Sequence, residues 1–330
     1  MKRDFAIFLQ QMKDFLIHHT SSSGVCAAFD TPRIVAAGVF DVVHCGHVEI
    51  IRRAAARAAD SGAVPVALSF IPHPRQLLTP DDAPQLLLPE QERVKRLYEA
   101  GAKECAFINF TAEVASWSPE KFLSHLADNG CFRVAGICVG KLWRFGSRGA
   151  GNSEVLADFC ARHHWSYDGV TELALDGEIV SATAIRRAAG AGELDKVKLL
   201  SGRALTLYGT VTAGFQIAGT KLNAPTANLR CIAGVIPPDG VYAGGAAVDG
   251  KIYPAAVNIG FSPTFGGAER RVEVHLTGFD GNLYGRELAV ELYKFIRPER
   301  KFASPEELKQ QIAMDIAAIK AVCMAEQVKS

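Results

Sequence analysis

His44 and His47 bracket Cys45-Gly46 at the end of the stretch Gly38-Val39-Phe40-Asp41-Val42-Val43-His44-Cys45-Gly46-His47. Imidazole is the side chain whose ordinary pKa lets it donate, accept or move a proton near neutral pH. Two imidazoles three positions apart can meet phosphate oxygens as charge builds on a phosphorus. The run before them, Arg33-Ile34-Val35-Ala36-Ala37, is mostly apolar and reads as a buried strand. The run after them, Val48 to Ala56, reads as a helix. The pair therefore falls at a helix N-terminus, where unpaired backbone N–H groups and the positive end of the helix dipole favour an anion. Gly46 allows close approach of backbone and ligand. Cys45 reads as a small buried filler, since phosphate chemistry at this place needs no nucleophile.

A second group of candidates follows the same logic. Residues 33 to 187 alternate apolar strands with helices: strands at 64–70, 105–110 and 132–139, a helix from Pro89 to Ala100, and one opened by Ser118-Pro119-Glu120. Fully apolar strands separated by helices predict a parallel sheet covered on both faces, with ligands beyond the carboxyl ends of its strands. The histidine motif lies at such an end. So do Phe70-Ile71-Pro72-His73-Pro74-Arg75 and the loop Gly140-Lys141-Leu142-Trp143-Arg144-Phe145-Gly146-Ser147-Arg148-Gly149. His73, Arg75, Lys141, Arg144 and Arg148 are thereby expected near phosphates. A hairpin turn at Asp176-Gly177 leads to Ser181-Ala182-Thr183-Ala184-Ile185-Arg186, again at a helix start, where hydroxyls and an arginine can hold a leaving pyrophosphate.

From Leu205 the pattern changes to short β-prone runs punctuated by Asp239-Gly240, Asp249-Gly250 and Asp280-Gly281, which predicts an antiparallel barrel. Ser304-Pro305-Glu306-Glu307 opens a final helix to about Glu326. In the barrel, Thr226 and Asn228 lie two residues apart, so their oxygens point the same way and suit Mg²⁺. Gly209, Gly214 and Gly219 are expected to form a loop over a polyphosphate. Val272-Glu273-Val274-His275-Leu276 alternates strictly, and Glu273 in a barrel mouth is placed as a general base.

The whole chain sets bounds. Its 330 residues suit roughly two domains. Thirty-six basic and thirty-five acidic residues nearly cancel, leaving no electrostatic footprint for nucleic acid or an anionic membrane. Eight scattered cysteines lack disulfide or zinc spacing and point to reduced thiols in the cytoplasm. Phe5, Phe8, Leu9, Met12, Phe15 and Leu16 share a helical period interrupted by charges, which predicts an amphipathic helix rather than a signal peptide or membrane span.

The histidine motif resembles that of the nucleotidyltransferases, which move a nucleoside monophosphate from a triphosphate to an acceptor. With Pro-His-Pro, Arg-Phe-Gly, Ser-x-Thr-x-Ile-Arg, Pro225-Thr226-Ala227-Asn228, Asn258-Ile259-Gly260, Pro263-Thr264-Phe265, Glu273-Val274-His275-Leu276, Leu283-Tyr284-Gly285 and Ile296-Arg297-Pro298-Glu299-x-Lys301-Phe302, the order of motifs resembles the bacterial bifunctional riboflavin kinase/FMN adenylyltransferase family over residues 33 to 325. That resemblance implies a Rossmann-like α/β nucleotidyltransferase domain over residues 1–200 and a small antiparallel β-barrel flavokinase domain with a C-terminal helix over 201–330. It implies phosphorylation of riboflavin to FMN by ATP, then AMP transfer from a second ATP to FMN, giving FAD and pyrophosphate. Glu273 matches the kinase base. Thr226 and Asn228 match the Mg-ATP residues. His44 and His47 match the residues on the reacting phosphates, and Gly38, Phe40, Asp41, Ser181, Thr183 and Arg186 fall in the ATP-binding motifs. Flavin and its phosphate are assigned to His73, Arg75, Arg144 and Arg148. In the first half four positions depart from the family: Val42 replaces Gly, Leu142 replaces an Asn or Asp that helps hold the FMN phosphate, and Ala182 and Ala184 replace a hydroxyl and a cation; in the kinase half Leu-Gly-Phe-Pro becomes Leu222-Asn223-Ala224-Pro225. Two alternatives stand beside this expectation: a kinase with a degenerate first half, and a non-enzymatic flavin- or nucleotide-binding regulator. The retained His44, His47, Thr226, Asn228 and Glu273 speak against the regulator.

Overall fold

The computed structural model describes residues 16–20, 30–212, 227–264, 267–300 and 302–327. The chain divides into two compact units, Met1–Pro84 with Glu90–Ser181, and Gln85–Pro89 with Ala182–Ser330.

The first unit is built on six strands: β1 (Leu16–Thr20), β2 (Pro32–Ala37), β3 (Val64–Ile71), β4 (Glu104–Asn109), β5 (Arg133–Gly140) and β6 (Ser166–Val170). Their order is β1-β4-β3-β2-β5-β6, with the five strands β2 to β6 mutually parallel and β1 antiparallel at the edge. Leu16, placed on a helical period from the sequence, starts this edge strand instead. The rest of the expected N-terminal helix lies outside the described residues. Five consecutive buried residues in β2 and six in β3 show why alternation is missing: both faces are covered. Helix α1 (Cys45–Ser61) turns Ile50, Ile51, Ala54 and Ala58 inward. After α2 (Pro74–Leu78), α3 (Glu90–Glu99) and α4 (Ala112–Ser116), Phe122, Leu123 and Leu126 of α5 (Pro119–Ala127) and Leu156 and Phe159 of α6 (Ser153–Arg162) join Val35, Leu68, Ile108 and Ile137 in one core cluster. At the amino ends of the strands, away from the histidines, Arg33 and Glu104 form a fully buried pair at 3.1 and 3.2 Å. The Asp176-Gly177 turn between β7 (Ala174–Leu175) and β8 (Glu178–Ile179) has both residues at positive φ, 49° and 78°, as a two-residue hairpin requires.

The single helical run expected after residue 181 is two helices, α7 (Ala182–Ala191) and α8 (Leu194–Ser201), parted by Gly192 at φ 77°. Leu194, Val197 and Leu200 of α8 are buried, and α8 packs on the barrel strands of the second unit. That barrel is closed and antiparallel, in the order β10-β13-β12-β11-β14-β9: β9 (Leu205–Thr212), β10 (Ala227–Ala233), β11 (Gly240–Val248), β12 (Lys251–Thr264), β13 (Gly267–Leu276) and β14 (Glu287–Arg297). Closure removes the unpaired edges that a small sheet would expose. The C-terminal helix Pro305–Gln327 is tied to β14 by Arg297, whose Nε donates to both Asp315 oxygens at 3.1 Å and whose Nη2 donates to Oδ2 at 2.8 Å. Gly209 lies inside β9 rather than in a polyphosphate loop. A Cβ there would meet the Arg230 carbonyl oxygen at 2.4 Å, so the glycine serves close strand pairing. Gly214 and Gly219 lie outside the described residues.

Candidate active site

In the first unit the β2–α1 loop carries the candidate residues. Gly38 donates its N–H to the Leu68 carbonyl at 3.1 Å, which anchors the loop to β3. Phe40 and Val43 both take φ 49°, a conformation that costs a non-glycine residue energy and concentrates at functional sites. Val42, where the family has glycine, is not among the positive-φ residues, so its β-branched side chain is accepted without left-handed strain. Phe40 is fully buried and stands edge-on to the His47 ring at 5.0 Å; Asp41 is buried as well.

His44 is the N-cap of α1. The His47 backbone N–H donates to His44 Nδ1 at 3.2 Å. A nitrogen that accepts carries no proton, so neutral His44 holds its hydrogen on Nε2, where it can donate to a ligand. The two rings stack at 3.6 Å between centroids. Burial lowers the His44 pKa to about 4 and holds His47 well below its ordinary value, with His44 adding to the second shift. Both are uncharged at neutral pH. His47 Nδ1 is buried and has no hydrogen-bond partner among the described residues. A helix N-terminus, an oriented N–H donor and an unfilled imidazole nitrogen thus meet at one place, which suits a phosphate.

The neighbouring loops also emerge at the carboxyl edge of the sheet. His73 caps helix α2 (Pro74–Leu78): the Arg75 N–H donates to its Nδ1 at 3.2 Å, and its own N–H donates to Gln76 Oε1 at 3.1 Å. Burial lowers the His73 pKa, with Arg93 and Arg75 acting in the same direction. The Arg75 guanidinium is engaged with Asp82. Arg144 and Arg148 are exposed on the loop after β5, and Arg148 takes φ 56°. Leu142 donates its backbone N–H to Glu172 at 3.1 Å and leaves its side chain 69% exposed. Ser181 closes the first unit, whereas Thr183 and Arg186 stand on α7 in the second. Thr183 is exposed, and Arg186 Nε donates to the Gln85 carbonyl at 2.9 Å. Ala184 faces inward with Ile185, Ala188 and Ala189.

In the barrel, alternation places Val272, Val274 and Leu276 in the core and Glu273 and His275 on the outer face. Glu273 is therefore on the wall and not in the mouth, because the interior is filled by apolar side chains. Cross-strand register sets Glu273 directly opposite Asn228 on β10 and opposite Asn258 on β12. Opposite residues of an antiparallel ladder share a face, with Cβ atoms about 5 Å apart. A carboxylate thus stands between two amides. Burial holds its pKa above the ordinary value, opposed by Arg271 and assisted by Glu299. Asn258 Nδ2 donates to Glu299 Oε1 at 3.1 Å. Asn258 and Glu299 were not singled out as site residues from the sequence, although both fall in motifs that carry the family resemblance. Thr226 lies outside the described residues.

Fold and sites define a class: an α/β nucleotidyltransferase-type unit and a barrel with its own acid–base face in one chain. A family model for FAD synthetase matches residues 26–184, and one for riboflavin kinase matches 201–323. The bifunctional riboflavin kinase/FMN adenylyltransferase of Pseudomonas fluorescens is 33% identical over 286 residues, 86% of this chain and 91% of that protein. Its counterpart in Bacillus subtilis is 30% identical over 312 residues, 91% of this chain and 95% of that protein. Among solved structures, that of a macrolide-efflux protein from Streptococcus pneumoniae is 27% identical with a TM-score of 0.78, covering 90% of this chain and 96% of that one. No helix among the described residues is long and apolar enough to cross a membrane. The chain belongs to the bifunctional riboflavin kinase/FMN adenylyltransferase family.

Proposed function

We propose that the chain phosphorylates riboflavin on its barrel and adenylylates FMN with its α/β unit, and that the residues described above divide the work. The observation that carries the kinase reading is the register that sets Glu273 beside Asn228 on a half-buried wall. Glu273 takes the proton of the ribityl 5′-hydroxyl as that oxygen attacks the γ-phosphorus of ATP, the bond to the β,γ-bridging oxygen breaks and ADP leaves. Its raised pKa makes it a better base than an exposed glutamate.

Asn228 and Thr226 offer neutral oxygen donors. Mg²⁺ commonly takes one or two protein ligands and fills its shell with phosphate oxygens and water, so this donor set fits it without a carboxylate cage. No group of three or more His, Cys, Asp or Glu that could hold a metal occurs among the described residues. When bound, Mg²⁺ neutralises charge on the transferred phosphoryl group.

In adenylyl transfer the FMN phosphate attacks the α-phosphorus of ATP and pyrophosphate leaves. His44 Nε2–H and the first N–H groups of α1 donate to the oxygens that gain charge, and the stacked His47 fixes the ring that does so. Gly38, Phe40 and Asp41 shape the loop that holds them. Ser181, Thr183 and Arg186 are assigned to the triphosphate of ATP; His73, Arg75, Arg144 and Arg148 are assigned to FMN and its phosphate. Residues 1–200 and 201–330 are the proposed functional division. ATP dependence and reduced thiols fit a cytoplasmic enzyme; the cysteines among the described residues are all free.

The test is direct. Protein is incubated with riboflavin and Mg-ATP, and flavins are resolved by chromatography. FMN and FAD are both expected. His44→Ala with His47→Ala should stop FAD formation and spare FMN formation. Failure of the parent protein to form FMN would sink the kinase reading.

A further inference from the structure

Two stretches of the barrel have no task in the chemistry above, Asn258-Ile259-Gly260 on β12 and Pro298-Glu299 after β14. The fold brings them together. Glu299 accepts from Asn258 Nδ2 at 3.1 Å. The same carboxylate lies against Gly260, where an added Cβ would stand 2.2 Å from Oε1 and 2.3 Å from Cδ and Oε2. Real Cβ atoms do not come that near, so only glycine leaves Glu299 in this seat. Asn258 and Gly260 share the outer face, since Val257 and Ile259 between and beside them are fully buried. That face also carries Glu273, directly across the ladder from Asn258.

A side-chain amide has a donor end and an acceptor end, and an ionised carboxylate only accepts. Glu299 therefore claims the donor end of Asn258 and fixes which way the amide lies. Oδ1 remains as an acceptor on the face of the base.

We propose that Asn258, held in one amide orientation by Glu299, is a substrate-positioning residue of the kinase, its Oδ1 accepting from a second hydroxyl of the polyol that reacts at Glu273. The inference rests on Glu273 being the base. A reacting hydroxyl must come within about 3 Å of that base. A hydroxyl further along the same polyol then reaches the neighbouring ladder position, about 5 Å away. Two fixed acceptors align the chain where one would let it swing, and such alignment supplies much of the rate in phosphoryl transfer.

The experiment uses the full chain and measures kcat and KM for riboflavin, KM for ATP, and adenylylation of supplied FMN. Glu299→Gln frees the amide to flip and should lower kcat/KM for riboflavin about 10-fold. Asn258→Asp sets two carboxylates together and should lower it about 100-fold. Combining the two substitutions restores a donor–acceptor pair with reversed polarity and again leaves an oxygen facing Glu273. The double variant should recover about 10-fold over Asn258→Asp, the remaining deficit coming from the carboxylate newly placed opposite Glu273. KM for ATP and FMN adenylylation should not move. Parental kcat/KM for Glu299→Gln, a double variant no better than Asn258→Asp, or equal changes in riboflavin and ATP would each overturn the proposal. If Asn258→Asp does not fold by circular dichroism, Asn258→Ala replaces it, with a loss of about 10-fold expected and none overturning the idea. Glu273→Gln separates the two readings: parental activity there removes the base assignment, whereas a large loss there with silent Asn258 variants removes only this proposal.

Discussion

Lowering the pH from 7 to 5 should weaken the first unit, and the share carried by His44 follows from its burial. In the unfolded chain this imidazole takes a proton at its ordinary pKa of 6.5; in the folded protein burial delays protonation to about 4. Between those values the unfolded state binds more protons, so stability falls as pH falls. The stabilisation is complete above 6.5, declines through the interval, and is gone below about 4. Integrated from pH 7 to pH 5, the loss is about 2 kcal/mol. For a unit of this size that corresponds to a fall in Tm of about 4–8 °C. All three tryptophans, Trp117, Trp143 and Trp165, belong to the first unit, so their fluorescence follows its melting selectively. The control is His44→Asn, which keeps a side-chain oxygen for the helix N-cap but cannot titrate. Removing the stacked ring also relieves the burial of His47, which acts with the same sign. The parent should therefore lose about 4–8 °C more than the variant between pH 7 and 5. Equal losses would refute the buried neutral imidazole, as would an NMR titration of folded His44 near its ordinary value.

Glu273→Gln should lower FMN formation by about 10²–10⁴-fold while FAD formation from supplied FMN continues, measured by chromatography of the flavins. In the parent, the acid limb of the kinase pH profile should lie above the ordinary glutamate range, because burial raises the pKa of Glu273 and the base is lost as pH falls through it. Leu142→Asn should restore a polar partner near the FMN phosphate and improve kcat/KM for FMN about 10-fold, whereas Arg148→Ala should impair it; an unchanged value in both would detach this loop from the phosphate. Glu104→Gln leaves Arg33 charged and buried and should destabilise the first unit by about 3–5 kcal/mol in urea unfolding followed by tryptophan fluorescence, with riboflavin phosphorylation retained; a loss below about 1 kcal/mol would show the pair to be incidental.

Local rules made the elements of the candidate sites legible and left the supporting ones hidden. His44-Cys45-Gly46-His47 between an apolar run and a helical one placed the histidines between β2 and α1, because strand, turn and helix each leave a local pattern. Strict alternation at Val272–Leu276 placed Glu273 on the face away from the core. The same alternation could not say that the barrel interior was already full, so the mouth was the wrong location. Strand β6, Ser166–Val170, is an edge strand with only Val170 buried, and its weak apolar signal hid it. Gly209 looked like a loop residue, since a glycine's lack of Cβ serves a flexible loop and a tight strand contact equally well. Glu299 was legible as part of a motif but not as the partner of Asn258. Its role depends on a bond across 41 positions and on the room left by Gly260.

The two sites share a way of handling charge that a count of basic residues would miss. An imidazolium at His44 would attract the triphosphate strongly before reaction, and binding substrate and transition state alike does not raise kcat. A neutral Nε2–H held at the start of a helix is a weaker attractor of the ground state. It is already oriented for the oxygens that gain charge, so it costs no reorganisation when they do. On the barrel wall the same reasoning applies to Glu273. Cations beside it would pull its pKa down and weaken it as a base. Its ladder partners are the neutral amides of Asn228 and Asn258; burial raises its pKa, Arg271 on the same strand opposes that shift, and the Glu299 carboxylate assists it. In the proposed reading both sites set fixed neutral dipoles against one titratable group, and a few local arginines, Arg271 beside Glu273 and Arg75, Arg144, Arg148 and Arg186 in the adenylylation site, supply the charge that a nearly neutral chain does not.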